Sequence, residues 1–247
     1  MIKSYKISVP KSTLNNIFKK VKNYPWKMIE NVNGWEYGTN YDFLKKISRY
    51  WVSRYNWKKF ENKINSFKNY KTKVDGINLH FIKETSKNPK SRPLLLLHGW
   101  PGSVIEFFDI IPRLAHPEKF GGKIEDGFDV IVPSLPGFGF STPIKRALGP
   151  RKIGKILNKF MVKNLGYKNY VVQGGDWGAT VASWIGFDSA KNCKGIHINC
   201  LPIRHPKGPK NIKEKKWEKK FNFDQIMQEG YRTQQATKPQ TLSYAMI

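Results

Sequence analysis

The stretch Tyr170–Ala182, YVVQGGDWGATVA, decides the fold. Tyr170, Val171 and Val172 form an apolar run that reads as a buried strand. Gly174 to Ala179 read as a sharp turn, and Thr180 to Phe187 (TVASWIGF) as a buried helix. Such a strand-turn-helix is a nucleophile elbow, whose strained backbone leaves room only for small residues around the tip. Gly174, Gly178 and Ala179 supply the small residues here, and Asp176 is the tip. A carboxylate at a helix N-terminus is stabilised as an anion. It is nucleophilic at neutral pH with no base to activate it, attacks carbon electrophiles such as epoxides or alkyl halides, and becomes an ester. The competing reading of Asp176 is a helix N-cap, a position Asp often takes.

Upstream, Leu94 to Leu97 is a continuous aliphatic run, as expected of a strand buried on both faces, and it ends in His98-Gly99-Trp100-Pro101. Phe107 to Leu114 reads as helix. Phe128 to Val132 reads as a further buried strand ending in the Ser134–Ser141 loop, Ile153 to Leu165 as a long helix, and Gly195 to Cys200 (GIHINC) as another strand. This alternation predicts an α/β protein, a mostly parallel sheet with helices on both faces. Before it, Asp75-Gly76 is a hairpin signal between Lys71-Val74 and Ile77-Phe81. Residues 1–69 read as a helical, aromatic-rich module. Ser12 is the expected N-cap of its first helix, and Phe43, Leu44, Ile47, Tyr50 and Trp51 lie at helical spacing on an apolar face that should pack against something. Residues 70–201 read as the α/β core. Residues 202–247 are basic and broken by prolines at first, and read as the start of a lid.

With 247 residues, 39% hydrophobic content and 15 Phe, 11 Tyr and 8 Trp, the chain is no disordered polymer. Its 44 Lys and Arg against 18 Asp and Glu give a net charge of +26. The lysines are scattered and accompanied by many Asn, which favours a solvated lysine surface over nucleic-acid binding and leaves attraction to an anionic membrane surface as the other reading. Cys193 and Cys200 have no CxxC spacing and no companion His set, so no disulfide, metal or cofactor is expected. The N-terminus MIKSYKISVPK is too polar for a signal peptide, and no apolar run approaches about 18 residues. A soluble or peripherally attached protein is the expectation.

His98-Gly99-Trp100-Pro101 stands at the carboxyl end of a strand, where open α/β sheets bind ligands. The backbone N–H groups of Trp100 and of Trp177, the residue after the elbow tip, together would make an oxyanion hole. The alternative for His98 is a buried, hydrogen-bonded core histidine.

The chain resembles the epoxide hydrolases of the α/β-hydrolase superfamily, of the microsomal type that includes the juvenile hormone epoxide hydrolases. The resemblance rests on the aromatic module Trp35–Phe67, on LLLLHGWPGSVIEFFDIIP, DVIVPSLPGFGFS and VVQGGDWGATVA, and on GYRTQQATKPQTLSYAM at 230–246. It implies Asp176 as nucleophile, Trp100 and Trp177 as oxyanion donors supported by the turns at His98, Gly99, Pro101, Gly174, Gly175 and Gly178, and Tyr231 as a lid phenol that protonates the opening epoxide oxygen. It further implies an apolar epoxide and water as reactants, an alkyl-enzyme ester, a diol product, no cofactor and no metal, a detoxification or hormone-degrading role, and the endoplasmic reticulum membrane as location. The family's downstream His base and its acid partner have no counterpart among His80, His98, His116, His197 and His205, and the typical N-terminal anchor has none either. The expectation is therefore a fold incomplete at its C-terminal end, with turnover in doubt and a cytoplasmic location left open. The alternatives are a haloalkane dehalogenase-like enzyme, an inactive hormone- or lipid-binding remnant, or a gene fragment.

Overall fold

The structure is a computed structural model that describes residues 1–28, 34–36, 38–200, 212, 215 and 216. The chain divides into two compact units, Met1–Ser8 with Trp57–Ile203, and Val9–Asn56 with Arg204–Ile247. In the first, β1 (Lys3–Ser4), β2 (Asn69–Val74), β3 (Ile77–Glu84), β4 (Arg92–Leu97), β5 (Phe128–Pro133), β6 (Tyr170–Gly174) and β7 (Cys193–Ile198) form one sheet in the order β1-β2-β3-β5-β4-β6-β7. The first four neighbours pair antiparallel, and β5, β4, β6 and β7 run parallel. The expected α/β architecture is present, with an antiparallel flank added to the parallel core.

Alternation along β4 explains its uninterrupted leucines. Leu95 and Leu97 enter one core cluster with Ile131, Val172 and the helices α5 (Pro150–Lys159) and α6 (Trp177–Asp188). Leu94 and Leu96 enter the other with Val130, Val132, Val104, Phe108, Ile111 of α4 (Ile111–Ala115), Ile64 of α3 (Trp57–Asn65) and Ile7. Both faces of the strand are covered, so neither register of side chains can be polar. The β2–β3 hairpin turns at Asp75 (φ 48°) and Gly76 (φ 82°), the paired positive φ of a type I′ turn, and Lys159 forms an ion pair with Asp75.

The second unit holds α1 (Lys11–Lys22) and α2 (Tyr41–Ser53). Several expectations are corrected here. Ser12 lies inside α1, whose N-cap is Pro10 with no side-chain cap bond, while Asn40 caps α2 by accepting from the Phe43 N–H. The ring of Pro10 fixes its φ at −58°, its ψ of 142° is extended, and α1 starts after it without a side-chain acceptor. The apolar residues of α2, Phe43 to Trp51, are 41–53% exposed, and the Trp35 ring packs on Phe43 with centroids 5.2 Å apart. The helix expected at Phe107–Leu114 is split into a 3-10 turn, Val104–Phe107, and α4, with Pro112 at the start of the latter. The strand β7 begins at Cys193 and ends at Ile198, earlier than GIHINC suggested.

A buried polar chain crosses the antiparallel flank. His80, fully buried on β3, has Nδ1 2.9 Å from Ser134 Oγ and Nε2 3.0 Å from Asn69 Oδ1. Because Asn69 Nδ2 donates to the carbonyls of Ile64 and Phe67, its Oδ1 can only accept, and His80 Nε2 therefore carries the proton. Ser141 Oγ accepts from the His80 N–H and donates to the Ser134 carbonyl, closing the network. Burial, with a smaller contribution from the Lys71 charge, pushes the His80 imidazole down to about 3. Above about pH 6.5 His80 is neutral in both folded and unfolded chains and adds no pH dependence. As the pH falls from there toward 3, only the unfolded chain takes up the proton, so stability should drop by up to about 1.4 kcal/mol per pH unit. Urea unfolding between pH 7 and pH 4 measures this slope, and His80→Gln should remove the His80 share of it.

Candidate active site

The elbow forms where β6 meets α6. Asp176 takes φ 50° and ψ −123°, a conformation rare for a side chain with a Cβ, and with Asp75 it is one of two described non-glycine residues at positive φ. The turn holds this strain by close backbone approach. A Cβ on Gly178 would lie 2.2 Å from the Leu97 carbonyl oxygen, and one on Gly174 would lie 2.2 Å from the Gly178 oxygen, so both must be glycine. Gly175 packs against the Asn199 side chain just beyond β7.

Although Asp176 occupies the N-cap position of α6, its side chain makes no cap hydrogen bond. That removes the helix-capping reading. Instead Oδ1 accepts from the Trp100 N–H at 2.8 Å. Among the described residues Oδ2 has no partner, and neither has the Trp177 N–H at the first position of α6. Asp176, Trp100 and Trp177 are all exposed.

The Trp100 N–H reaches Asp176 because the loop after β4 is pulled tight. Gly99 lies so near the elbow that a Cβ would sit 2.6 Å from both Cβ and Oδ1 of Asp176. The Trp100–Pro101 peptide is cis. His98 is fully buried, accepts the Leu135 N–H on Nε2 at 3.0 Å, and has Nδ1 2.9 Å from the Gly99 carbonyl oxygen. The fixed donor on one side and fixed acceptor on the other determine the tautomer, with the proton on Nδ1. Burial lowers its pKa, against smaller upward contributions from the Gly99 carbonyl and the Glu106 charge, and the ring of Phe138 packs edge-on against it at 5.3 Å. His98 is thus a buried core histidine and at the same time the brace of the turn beside Asp176.

The structure brings together Asp176, Trp100, Trp177, His98, Gly99, Pro101, Gly174, Gly175 and Gly178 from the ends of two adjacent strands. Tyr231 lies outside the described residues. Sequence reasoning missed Leu135, whose backbone N–H fixes the His98 tautomer, and Asn199 against Gly175. The SLPG run after β5 was visible as a strand-end loop, but a backbone donor leaves no signature in side-chain identity. The described residues contain no cluster of three or more His, Cys, Asp or Glu able to hold a metal ion.

Residues 92–245 match the alpha/beta hydrolase fold family, and residues 2–107 match the epoxide hydrolase N terminus family. The chain belongs to the alpha/beta hydrolase fold family, and its relatives within it are epoxide hydrolases. Juvenile hormone epoxide hydrolase 1 of Ctenocephalides felis is 33% identical over 99% of this chain and 56% of its own length. The crystal structure of the juvenile hormone epoxide hydrolase of the silkworm Bombyx mori superposes with a TM-score of 0.70 at 34% identity, over 81% of this chain and 53% of that one. The Aspergillus niger epoxide hydrolase superposes with a TM-score of 0.72 at 27% identity, over 100% of this chain and 66% of that one. The chain spans little more than half the length of the curated relatives it matches.

Because the backbone at Asp176 suits glycine, Asp176→Gly should raise the unfolding free energy by about 1 kcal/mol while deleting the carboxylate. Gly178→Ala, which drives a Cβ into the Leu97 carbonyl, should lower it by about 3 kcal/mol. Urea denaturation of the two variants beside the parent chain checks both signs.

Proposed function

We propose that this chain opens apolar epoxides by nucleophilic attack of Asp176, and the observation that carries the proposal is the Trp100 N–H held on Asp176 Oδ1 at 2.8 Å. That bond makes the two carboxylate oxygens unequal. Oδ2, with no described partner, is the attacking atom: its lone pair forms a bond to an epoxide carbon, the ring C–O bond breaks, and the ring oxygen takes a proton from a donor. Tyr231 is the proposed donor, since a phenol with an ordinary pKa near 10 can supply a proton that an unaided alkoxide departure lacks. Oδ1 becomes the carbonyl oxygen of the ester. In the hydrolytic step that follows in a complete cycle, water adds to the ester carbon and negative charge develops on Oδ1, already within reach of the Trp100 N–H, with the Trp177 N–H as the proposed second donor.

Ester hydrolysis needs a base. Among the described histidines, His80 and His98 are buried and fully hydrogen-bonded, His116 pairs with Glu84, and none of the four bonds to Asp176. None of these four is therefore placed to serve as that base. The relatives' names favour an epoxide over the halide of the dehalogenase alternative, and juvenile hormone-like epoxides are the proposed substrate class, in line with those names. We also propose that the chain rests on anionic membrane surface such as that of the endoplasmic reticulum. The charge of +26 supports this, and no described helix is long and apolar enough to cross a membrane.

Incubating the full chain with excess styrene oxide should add one equivalent of epoxide mass to the intact protein, mapped to Asp176 by peptide mass spectrometry. Asp176→Asn should show no adduct. An unmodified parent chain, or label on another residue, overturns the assignment. Co-sedimentation with phosphatidylserine vesicles, lost in high salt, is the expected result for the membrane contact, and no binding at low salt refutes it.

A further inference from the structure

The Gly99–Trp100 peptide faces a conflict that the structure resolves with a side chain. Close approach to Asp176 forces residue 99 to be glycine, since a Cβ would lie 2.6 Å from the Asp176 Cβ and Oδ1. Glycine is also the residue that least restrains the orientation of the peptide that follows it. The one peptide whose N–H must point at the nucleophile is thus the one whose backbone is freest to rotate. Its carbonyl oxygen, on the opposite edge of the same planar unit, lies 2.9 Å from His98 Nδ1, and its N–H lies 2.8 Å from Asp176 Oδ1.

We propose that His98 is a positioning residue for the oxyanion donor, its Nδ1–H holding the Gly99 carbonyl so that the Trp100 N–H stays aimed at Asp176. The inference rests on Asp176 acting as the nucleophile. Three further observations support it. The Leu135 N–H on Nε2 leaves His98 no tautomer except the one that donates to Gly99. Full burial and the Phe138 ring keep the imidazole in one orientation. Donation to the carbonyl also polarises the peptide and strengthens its N–H as a donor, as linked hydrogen bonds do in a low-dielectric interior. The brace reaches further still, because Leu135 follows Ser134, which His80 holds at 2.9 Å. Two buried neutral histidines thereby grip consecutive residues of the loop after β5, and one of them passes that rigidity to the donor peptide.

Asparagine and glutamine separate this role from mere packing. The amide nitrogen of His98→Asn overlays Nδ1 and can still donate to Gly99, whereas His98→Gln places its amide near Nε2 and leaves the Gly99 carbonyl without a donor. In the full chain labelled with 15N-tryptophan, the Trp100 amide is identified by its disappearance in Trp100→Phe. Its proton should resonate downfield in the parent chain, stay there in His98→Asn and move upfield in His98→Gln, with the other tryptophan amides unchanged. Hydroxide-driven hydrolysis of the preformed styrene oxide ester, the step in which charge develops on Oδ1, should slow about 10- to 100-fold in His98→Gln and clearly less in His98→Asn. A Trp100 amide that does not move in folded His98→Gln, or that moves equally in both variants, overturns the proposal. If His98→Gln does not fold, an upfield Trp100 amide in folded His98→Asn overturns it equally. A parent chain that forms no adduct while the amide responds as expected refutes the nucleophile and upholds the brace.

Discussion

The hydrogen bond from the Trp100 N–H to Asp176 Oδ1 joins two loops 76 residues apart in sequence, and much of the local architecture serves to make that approach close enough. It requires the ends of β4 and β6 to be neighbours, which their parallel pairing from Leu94↔Val171 to Leu97↔Gly174 provides. It requires the backbone of α6 to begin hard against the Leu97 carbonyl, which excludes any side chain at position 178. Finally it requires the elbow to hold Asp176 at positive φ, a cost met by the packing of α6. Ala179, Val181, Ala182 and Ile185 of that helix are all fully buried, so the turn is anchored by apolar contact on its helical side.

The electrostatic design of this end of the sheet follows from the same constraint. A carboxylate placed at the tip of a helix and bonded to one backbone N–H is held by dipoles fixed in the fold instead of by mobile side-chain charges. Nothing in that arrangement depends on the +26 net charge. The two buried histidines contribute no charge either. Both are kept neutral by burial and spend both ring nitrogens on hydrogen bonds within the fold, so they act as rigid connectors whose value is geometric.

Much of the fold was legible because apolar runs on the central strands have no polar face to confuse the pattern. Leu94–Leu97 and Tyr170–Val172 are of this kind, and the elbow glycines, set between a strand and an apolar helix, admit few other readings. The hairpin at Asp75-Gly76 was equally plain, since only a paired positive φ suits that dipeptide. The boundaries around Val104–Ala115 and the start of α1 were not legible, because local turn preferences there are weak and tertiary packing decides them. The strand Lys3–Ser4 was hidden for a related reason: two residues paired to Tyr70 and Lys71 at a sheet edge carry no periodicity at all. Within the site, side chains were readable and backbone donors were not, so Asp176 and His98 stood out while the Leu135 N–H did not.

The loop after β4 gives Asp176 Oδ1 a donor that Oδ2 lacks among the described residues, and that asymmetry has an isotopic consequence. One oxygen is held by the Trp100 N–H and the other is left to attack. In the proposed reaction the atom joined to the substrate is always Oδ2, so the first oxygen to leave with a diol would come from the protein side chain and not from solvent. The chain would thereby carry a one-event memory of its own chemistry, written in a single oxygen atom.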